Sequence, residues 1–244
     1  MRRAVKVSAI SLATAMLIVL VRLAFEYGVV AFNSPSRERY AIRGIDVSHH
    51  RGRIDWQAVR DDGVSFAYVK ATEGGDFVDS RFASNWRDAR AARLAVGAYH
   101  FFTFCRDGAS QAANVLRVVP RETDALPLGV DLEFGGNCGR LPSRVELHTE
   151  LKSFLAPLRE AYGREPILYV TEEFFRAYEP NGELWVRDVF TQPDWLGDRT
   201  WLIWQYGNRG RIAGIRGPVD LNVFGSSRSE WQRFRRGTRV TELR

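Results

Sequence analysis

The segment Gly129-Val130-Asp131-Leu132-Glu133 carries two carboxylates two residues apart. Side chains alternate along an extended strand, so Gly129, Asp131 and Glu133 share one face while Leu128, Val130 and Leu132 take the other. Two acids on one partly buried face are costly, because desolvation and mutual repulsion raise the proton affinity of at least one. That is the condition for a general acid at neutral pH, with a second carboxylate beside it to meet developing positive charge. The alternative for such a pair is a structural ion pair with Arg or Lys. Two further acids end predicted strands: Asp46 in Gly44-Ile45-Asp46-Val47, and Asp220, which shares a face with Asn222 in Val219-Asp220-Leu221-Asn222-Val223. Either alone reads as a cap or turn residue. Three acidic strand ends together point to one site.

Aromatic residues add a second signal, since sugar rings are held by flat apolar faces flanked by hydrogen-bonding groups. Tyr99 shares a strand face with Phe101, Tyr169 ends another strand, and Trp204-Gln205-Tyr206 ends a third. Ordinary core packing is the alternative for each. His49, His50 and His100 are potential metal ligands, but adjacent histidines on a strand point apart and the acids lack metal-ligand spacing. Neither a metal nor a cofactor is expected.

The elements that must position these groups alternate. Short β-branched and aromatic runs at Ile45 to Val47, Val64 to Ala71, Ala95 to Phe102, Leu126 to Glu133 and Ile167 to Thr171 are separated by longer helix-like stretches. Asp55 precedes one helix, Asp79 or Ser80 a second, and Ser143 with Glu146 forms a capping-box signature before a third. The pattern predicts an α/β fold, an irregular TIM-like barrel of about five βα units followed by helix-poor strands. In the last third, Leu184-Trp185-Val186, Thr200 to Tyr206, Arg211 to Ile215 and Val219 to Phe224 are predicted to pair antiparallel. A flat doubly wound sheet is the architectural alternative.

Residues 1–40 are expected to hold a signal peptide or membrane anchor plus a linker, residues 41–228 the barrel, and residues 229–244 a basic tail. Arg2, Arg3 and Lys6 precede an apolar run from Val7 to Val21, and no small-residue cleavage pattern follows it, so cleaved and anchored forms both stay open. Either form places the barrel outside the cytoplasm, periplasmic or extracellular. The net charge of +6 favours an anionic partner. Much of the excess lies at the two ends of the chain, so a nucleic-acid partner is not expected. In an oxidising compartment Cys105 and Cys138 could pair or stay free; each follows a predicted strand, which puts both on loops at the same end of the sheet.

The ordered set Gly44-Ile45-Asp46-Val47-Ser48, Ile54-Asp55-Trp56, Phe66 to Gly74, Gly97-Ala98-Tyr99-His100-Phe101, Val130 to Glu133, Trp204-Gln205-Tyr206 and Val219 to Phe224 resembles the family 25 glycoside hydrolases, the Chalaropsis-type muramidases. The resemblance runs from about Gly44 to Phe224. It implies hydrolysis of the β-1,4 bond between N-acetylmuramic acid and N-acetylglucosamine in peptidoglycan. It also implies Glu133 as general acid, Asp131 beside it, Asp46 and Asp220 completing an acidic floor, and Tyr99, Tyr169, Lys70, Glu73, Trp204 and Gln205 at or near the sugar. The chain departs from the family's pattern at Arg187-Asp188, where a small residue and an aromatic are common, and at His50. Two other classes compete: a non-catalytic peptidoglycan-binding module, and a metal-dependent phosphodiesterase built on the same acids.

Overall fold

The computed structural model describes residues 14–21 and 32–237. Its first strands are β1 (Arg43–Val47), β2 (Phe66–Glu73), a two-residue β3 (Phe77–Val78) that turns back on β2, β4 (Ala95–Phe101) and β5 (Gly129–Leu132). There follow β6 (Ile167–Thr171), β7 (Glu183–Arg187), β8 (Ile203–Gly210) and β9 (Val219–Phe224). Hydrogen bonding runs β1-β9-β8-β7-β6-β5-β4-β2, and β1 also pairs with β2, so these eight strands close into a barrel. Five helices follow the first five barrel strands in turn: α1 (Trp56–Asp61), α2 (Phe82–Ala91), α3 (Gly108–Val118), α4 (Arg144–Tyr162) and α5 (Glu172–Tyr178). The capping box before α4 is present, with both Ser143 and Glu146 bonded across the first turn.

The helix-poor final third differs from the expectation in its pairing. β7 is parallel to both β6 and β8, and only β9 runs antiparallel, to β8 and to β1. Residues 188–202 are long enough to carry the chain back across the barrel without a helix. Arg211 to Ile215 is no strand: β8 ends at Gly210, and the following turn docks on α1, with the Asp55 amide donating to the Gly214 carbonyl at 3.0 Å. Gly214 sits there at φ 87°, in the left-handed region that glycine tolerates.

The expected basic tail is also structured in its first part. Residues Arg228–Arg235 form α6, whose Trp231 and Phe234 are buried against Phe66 and Phe224 at the end of the barrel where β1 to β8 begin. Apolar residues spaced three apart beneath an arginine-rich surface hid a plug inside a charge run. At the other terminus, residues 14–21 are helical and expose Met16 to Val21. No helix among the described residues is long and apolar enough to cross a membrane. Residues 1–13 and 22–31 of the expected N-terminal segment, and residues 238–244 of the expected tail, lie outside the described residues. The linker is held to the barrel by Asn33, whose amide donates to the carbonyls of Asp188 and Thr191.

Two cores result from the period-two alternation. Outward-facing Val47, Val69, Ala98, Val130, Leu132, Val170 and Val186 pack against the helices. Inside, Phe66, Tyr68, Tyr169, Trp185 and Phe224 fill the lumen up to the mouth. Rings of that size fit only because glycines face them. A Cβ on Gly97 would lie 2.4 Å from Tyr68 Cε1, and one on Gly44 2.3 Å from Phe66 Cε2. Tyr68 has little room to yield, since its hydroxyl donates to the Pro127 carbonyl at 3.0 Å. Gly97→Ala is therefore expected to destabilise the fold by about 1–3 kcal/mol through overpacking, read as a lower urea midpoint with an unchanged slope; an unaltered midpoint would show the lumen to be looser than described.

Candidate active site

The upper lumen is built around Asp46. Its Oδ2 accepts from Gln205 Nε2 at 2.9 Å and from Asn222 Nδ2 at 2.7 Å. Each amide is oriented by a further donor: Tyr169 Oη donates to Gln205 Oε1 at 3.0 Å, and Trp185 Nε1 donates to Asn222 Oδ1 at 2.8 Å. A tyrosine and a tryptophan thus fix which end of each amide faces the carboxylate, and five strands, β1, β6, β7, β8 and β9, are tied into one network around this oxygen. Burial raises the proton affinity of Asp46, while the two amides and the charges of Arg187 and Arg51 oppose that rise.

Asp131, Glu133 and Asp220 stand around this anchor. Asp131 is raised well above the usual carboxylate range, first by burial and then by the charge of Glu133, with Asp46 and Asp220 adding to it and Lys70 opposing. Its Oδ1 is shielded from solvent without a hydrogen-bond partner among the described residues. Asp220 is likewise raised well above the usual range by burial and by Asp46. Glu133, one residue beyond β5, is raised by burial, with Arg187 and Lys70 pulling the other way. Four acids crowded into a buried mouth hold their protons more tightly than free carboxylates do, which suits one of them to donate a proton. Tyr99 is in the same field: burial, then Asp46, Asp131 and Asp220, keep its phenol protonated far above its ordinary range.

Lys70 and Glu73 are three residues apart on β2, which strict alternation would place on opposite faces. The register of β2 against β4 shifts between Lys70 and Thr72. That bulge turns both side chains to one side, and Lys70 Nζ meets Glu73 Oε2 at 2.7 Å. Lys70 also lies over the ring of Phe101, 5.0 Å from its centroid.

Glu133 is held from behind. Phe134 packs among Phe104, Phe174 and Tyr178. The Asn137 amide donates to the carbonyls of Glu133 at 3.1 Å and Phe102 at 2.9 Å, and its Oδ1 accepts from the Phe104 amide at 3.0 Å. Beside these contacts a disulfide joins Cys105 to Cys138, linking the loops that follow β4 and β5.

Of the residues singled out in the sequence, Asp46, Asp131, Glu133, Asp220, Tyr99, Tyr169, Gln205, Lys70 and Glu73 fall together at the mouth. Trp204 does not. It lies one residue out of phase with Gln205, on the outer face of β8, packed against Tyr40, Trp201 and Tyr206, with its indole donating to the Asp188 carbonyl at 2.8 Å. The adjacent histidines also differ from expectation, in their local structure alone. His49 and His50 lie on a 3-10 turn, not a strand, with ring centroids 4.0 Å apart, and His49 Nδ1 bonds Asp79 at 2.9 Å. His100 is buried outside the barrel wall between Thr72 and Gln111, its pKa lowered to about 3 by burial. Trp185, Asn137 and Arg187 were not singled out as site residues. For Trp185 and Arg187 the signal was available, since both share the face of Glu183 on a strand that alternates strictly.

A closed α/β barrel with its acids gathered at the mouth defines a glycosidase-like site. The sequence matches the model of the glycosyl hydrolases family 25 over residues 45–215, and the chain belongs to that family. It is 35% identical over 211 residues to the uncharacterized protein YegX of Escherichia coli strain K12, covering 83% of this chain and 76% of that one. It is 33% identical over 205 residues to lysozyme M1 of Streptomyces globisporus, covering 76% and 68%. The solved structure of a family 25 glycosyl hydrolase from Bacillus anthracis superposes with a TM-score of 0.78 at 37% identity, over 83% of this chain and 96% of that one.

The raised proton affinity of Asp131 has a consequence for stability. A carboxyl raised in the folded state contributes stability that is fully present below its unfolded pKa of 3.8 and is lost as pH rises through the folded value. Asp131→Asn removes that loss. The variant should be more stable than the parent at pH 7, with the gap closing as pH falls from the raised folded value toward 3.8; thermal unfolding across pH reads this, and an equal or lower stability of the variant at pH 7 contradicts it.

Proposed function

We propose that this glycoside hydrolase cleaves the β-1,4 bond between N-acetylmuramic acid and N-acetylglucosamine in peptidoglycan. Membership of family 25 and the likeness to lysozyme M1 support the substrate, and the four-carboxylate mouth supports the chemistry. The observation that carries the reading is the pairing of Glu133, at the rim with its proton affinity raised, with Asp131, deeper and bearing an oxygen that lacks a partner. Glu133 donates its proton to the glycosidic oxygen as the bond breaks. Asp131 then orients and polarises the acetamido group of the sugar: its carboxyl accepts from that N–H, so the substrate's own carbonyl oxygen meets the developing charge at the anomeric carbon. Asp46 and Asp220 sustain the field that keeps both protons available. Tyr99 and Tyr169 offer the sugar flat, partly polar walls.

A binding module would gain nothing from keeping two costly acids in this mouth, and family membership favours hydrolysis over a phosphodiesterase. Action outside the cytoplasm fits the family and the Cys105–Cys138 disulfide, which suits an oxidising compartment. Residues Val7 to Val21, behind Arg2, Arg3 and Lys6, are the proposed export segment. The mass of the mature protein separates its two forms: a chain that keeps the segment is anchored to the membrane, and one that starts beyond Val21 is processed.

Digesting purified peptidoglycan with the full chain and reducing the products with borohydride should convert muramic acid, not glucosamine, to its alditol. Glu133→Gln should lower the turnover rate by roughly two to four orders of magnitude without lowering the melting temperature. Glucosamine alditols, or full activity in that variant, would overturn the assignment.

A further inference from the structure

Arg187 ends β7 at a position paired with Thr171 on β6 and Gln205 on β8. Two residues earlier on the same face, Trp185 points into the lumen against Tyr68 and Tyr169, so Arg187 faces the lumen one step nearer the mouth. Its neighbour Asp188 turns the other way and ties the following loop, accepting from the amides of Phe190 and Thr191 and from Trp195 Nε1. The guanidinium therefore stands on a fixed frame. Its charge acts on Asp46, Glu133 and Asp220, yet it makes no ion pair or side-chain hydrogen bond among the described residues.

The other two cations in this field are committed. Lys70 is bound to Glu73 at 2.7 Å, and Arg51 donates to the Pro218 carbonyl. A half-buried arginine beside several acids ordinarily closes on one of them, because a partly dehydrated guanidinium gains most from a carboxylate. Closing on Glu133 would hold that acid ionised and cost the mouth its proton donor. Standing off leaves the fork available. A muramoyl substrate gives it something to hold, since the lactyl arm or its attached peptide brings a carboxylate into a mouth already lined with four. That anion is repelled unless a cation receives it locally.

We propose that Arg187 is a specificity-determining residue that receives a carboxylate carried on the substrate's muramoyl arm. The proposal rests on the muramidase reading and adds to it a preference for anionic over neutralised substrate. Peptide-free glycan strands with free lactyl carboxylates supply one form, and the same strands with those carboxylates capped as methylamides supply the neutral one. Peptide-bearing strands form a third arm, which separates the lactyl carboxylate from those of the peptide.

The unaltered full chain should show a lower KM for the free-acid strands, for the peptide-bearing strands, or for both, than for the capped strands. Arg187→Gln should reduce that preference about tenfold, the worth of one charge-assisted contact. Arg187→Lys, which keeps the charge and loses the planar fork, should fall between the two. Confinement of the effect to one arm identifies the source of the carboxylate. Equal changes on free and capped strands, carried in kcat and in a shifted pH profile, would show that Arg187 only tunes the acids and would overturn the proposal. Failure of the unaltered chain to cut any strand would overturn the muramidase reading itself, an outcome distinct from loss of the charge preference.

Discussion

Everything at the barrel mouth depends on one constraint: four carboxylates share a space too dry and too small for all to be ionised comfortably. Asp46 is the member that the fold satisfies, through two amide donors on one oxygen. The amides do so because Tyr169 and Trp185 hold their carbonyl ends, and those two rings are themselves packed in the lumen. Satisfying one acid in this way leaves the other three to compete for protons. Asp131 and Asp220, the most strongly raised, lie on opposite sides of it in the strand order. Electrostatic cost at the top of the barrel is offset by dense aromatic packing below, where Phe66, Tyr68, Phe224 and the plug from α6 close the other end.

Precision at Glu133 has a different origin. The residue lies just past the last hydrogen bonds of β5, where a strand no longer dictates the backbone. Three supports replace the ladder: Phe134 in its aromatic cluster, Asn137 bonded to three backbone groups on two loops, and the Cys105–Cys138 link. The acid can thus reach into the cleft while its main chain is held as firmly as a strand would hold it.

Much of this was legible in the sequence because period-two alternation is a local rule. It placed Asp131 with Glu133 and Asp220 with Asn222, and the spacing of strand and helix signals gave the first five units. What escaped was set by longer-range geometry. The bulge after Lys70 inverts the phase of β2, which no local pattern announces. Trp204 was grouped with the site although alternation from Gln205 sends it outward, because an aromatic strand end was allowed to outweigh phase. The parallel β7 and β8 defied a rule of spacing, since a long irregular crossover serves as well as a helix. In the C-terminal segment charge drew the eye from two buried aromatics. Arg187 stood out only as a departure from a pattern, and its meaning depends on neighbours contributed by β1, β5 and β9.

Crowding and burial keep protons on the acids of the mouth at pH values where ordinary carboxylates have lost them. Carbon-13 NMR titration of the side-chain carboxyls, with Asp131 and Glu133 assigned by single substitution, measures this directly. Asp131 should titrate well above 3.8 and Glu133 above 4.5. Titration of both at or below those ordinary values would contradict it.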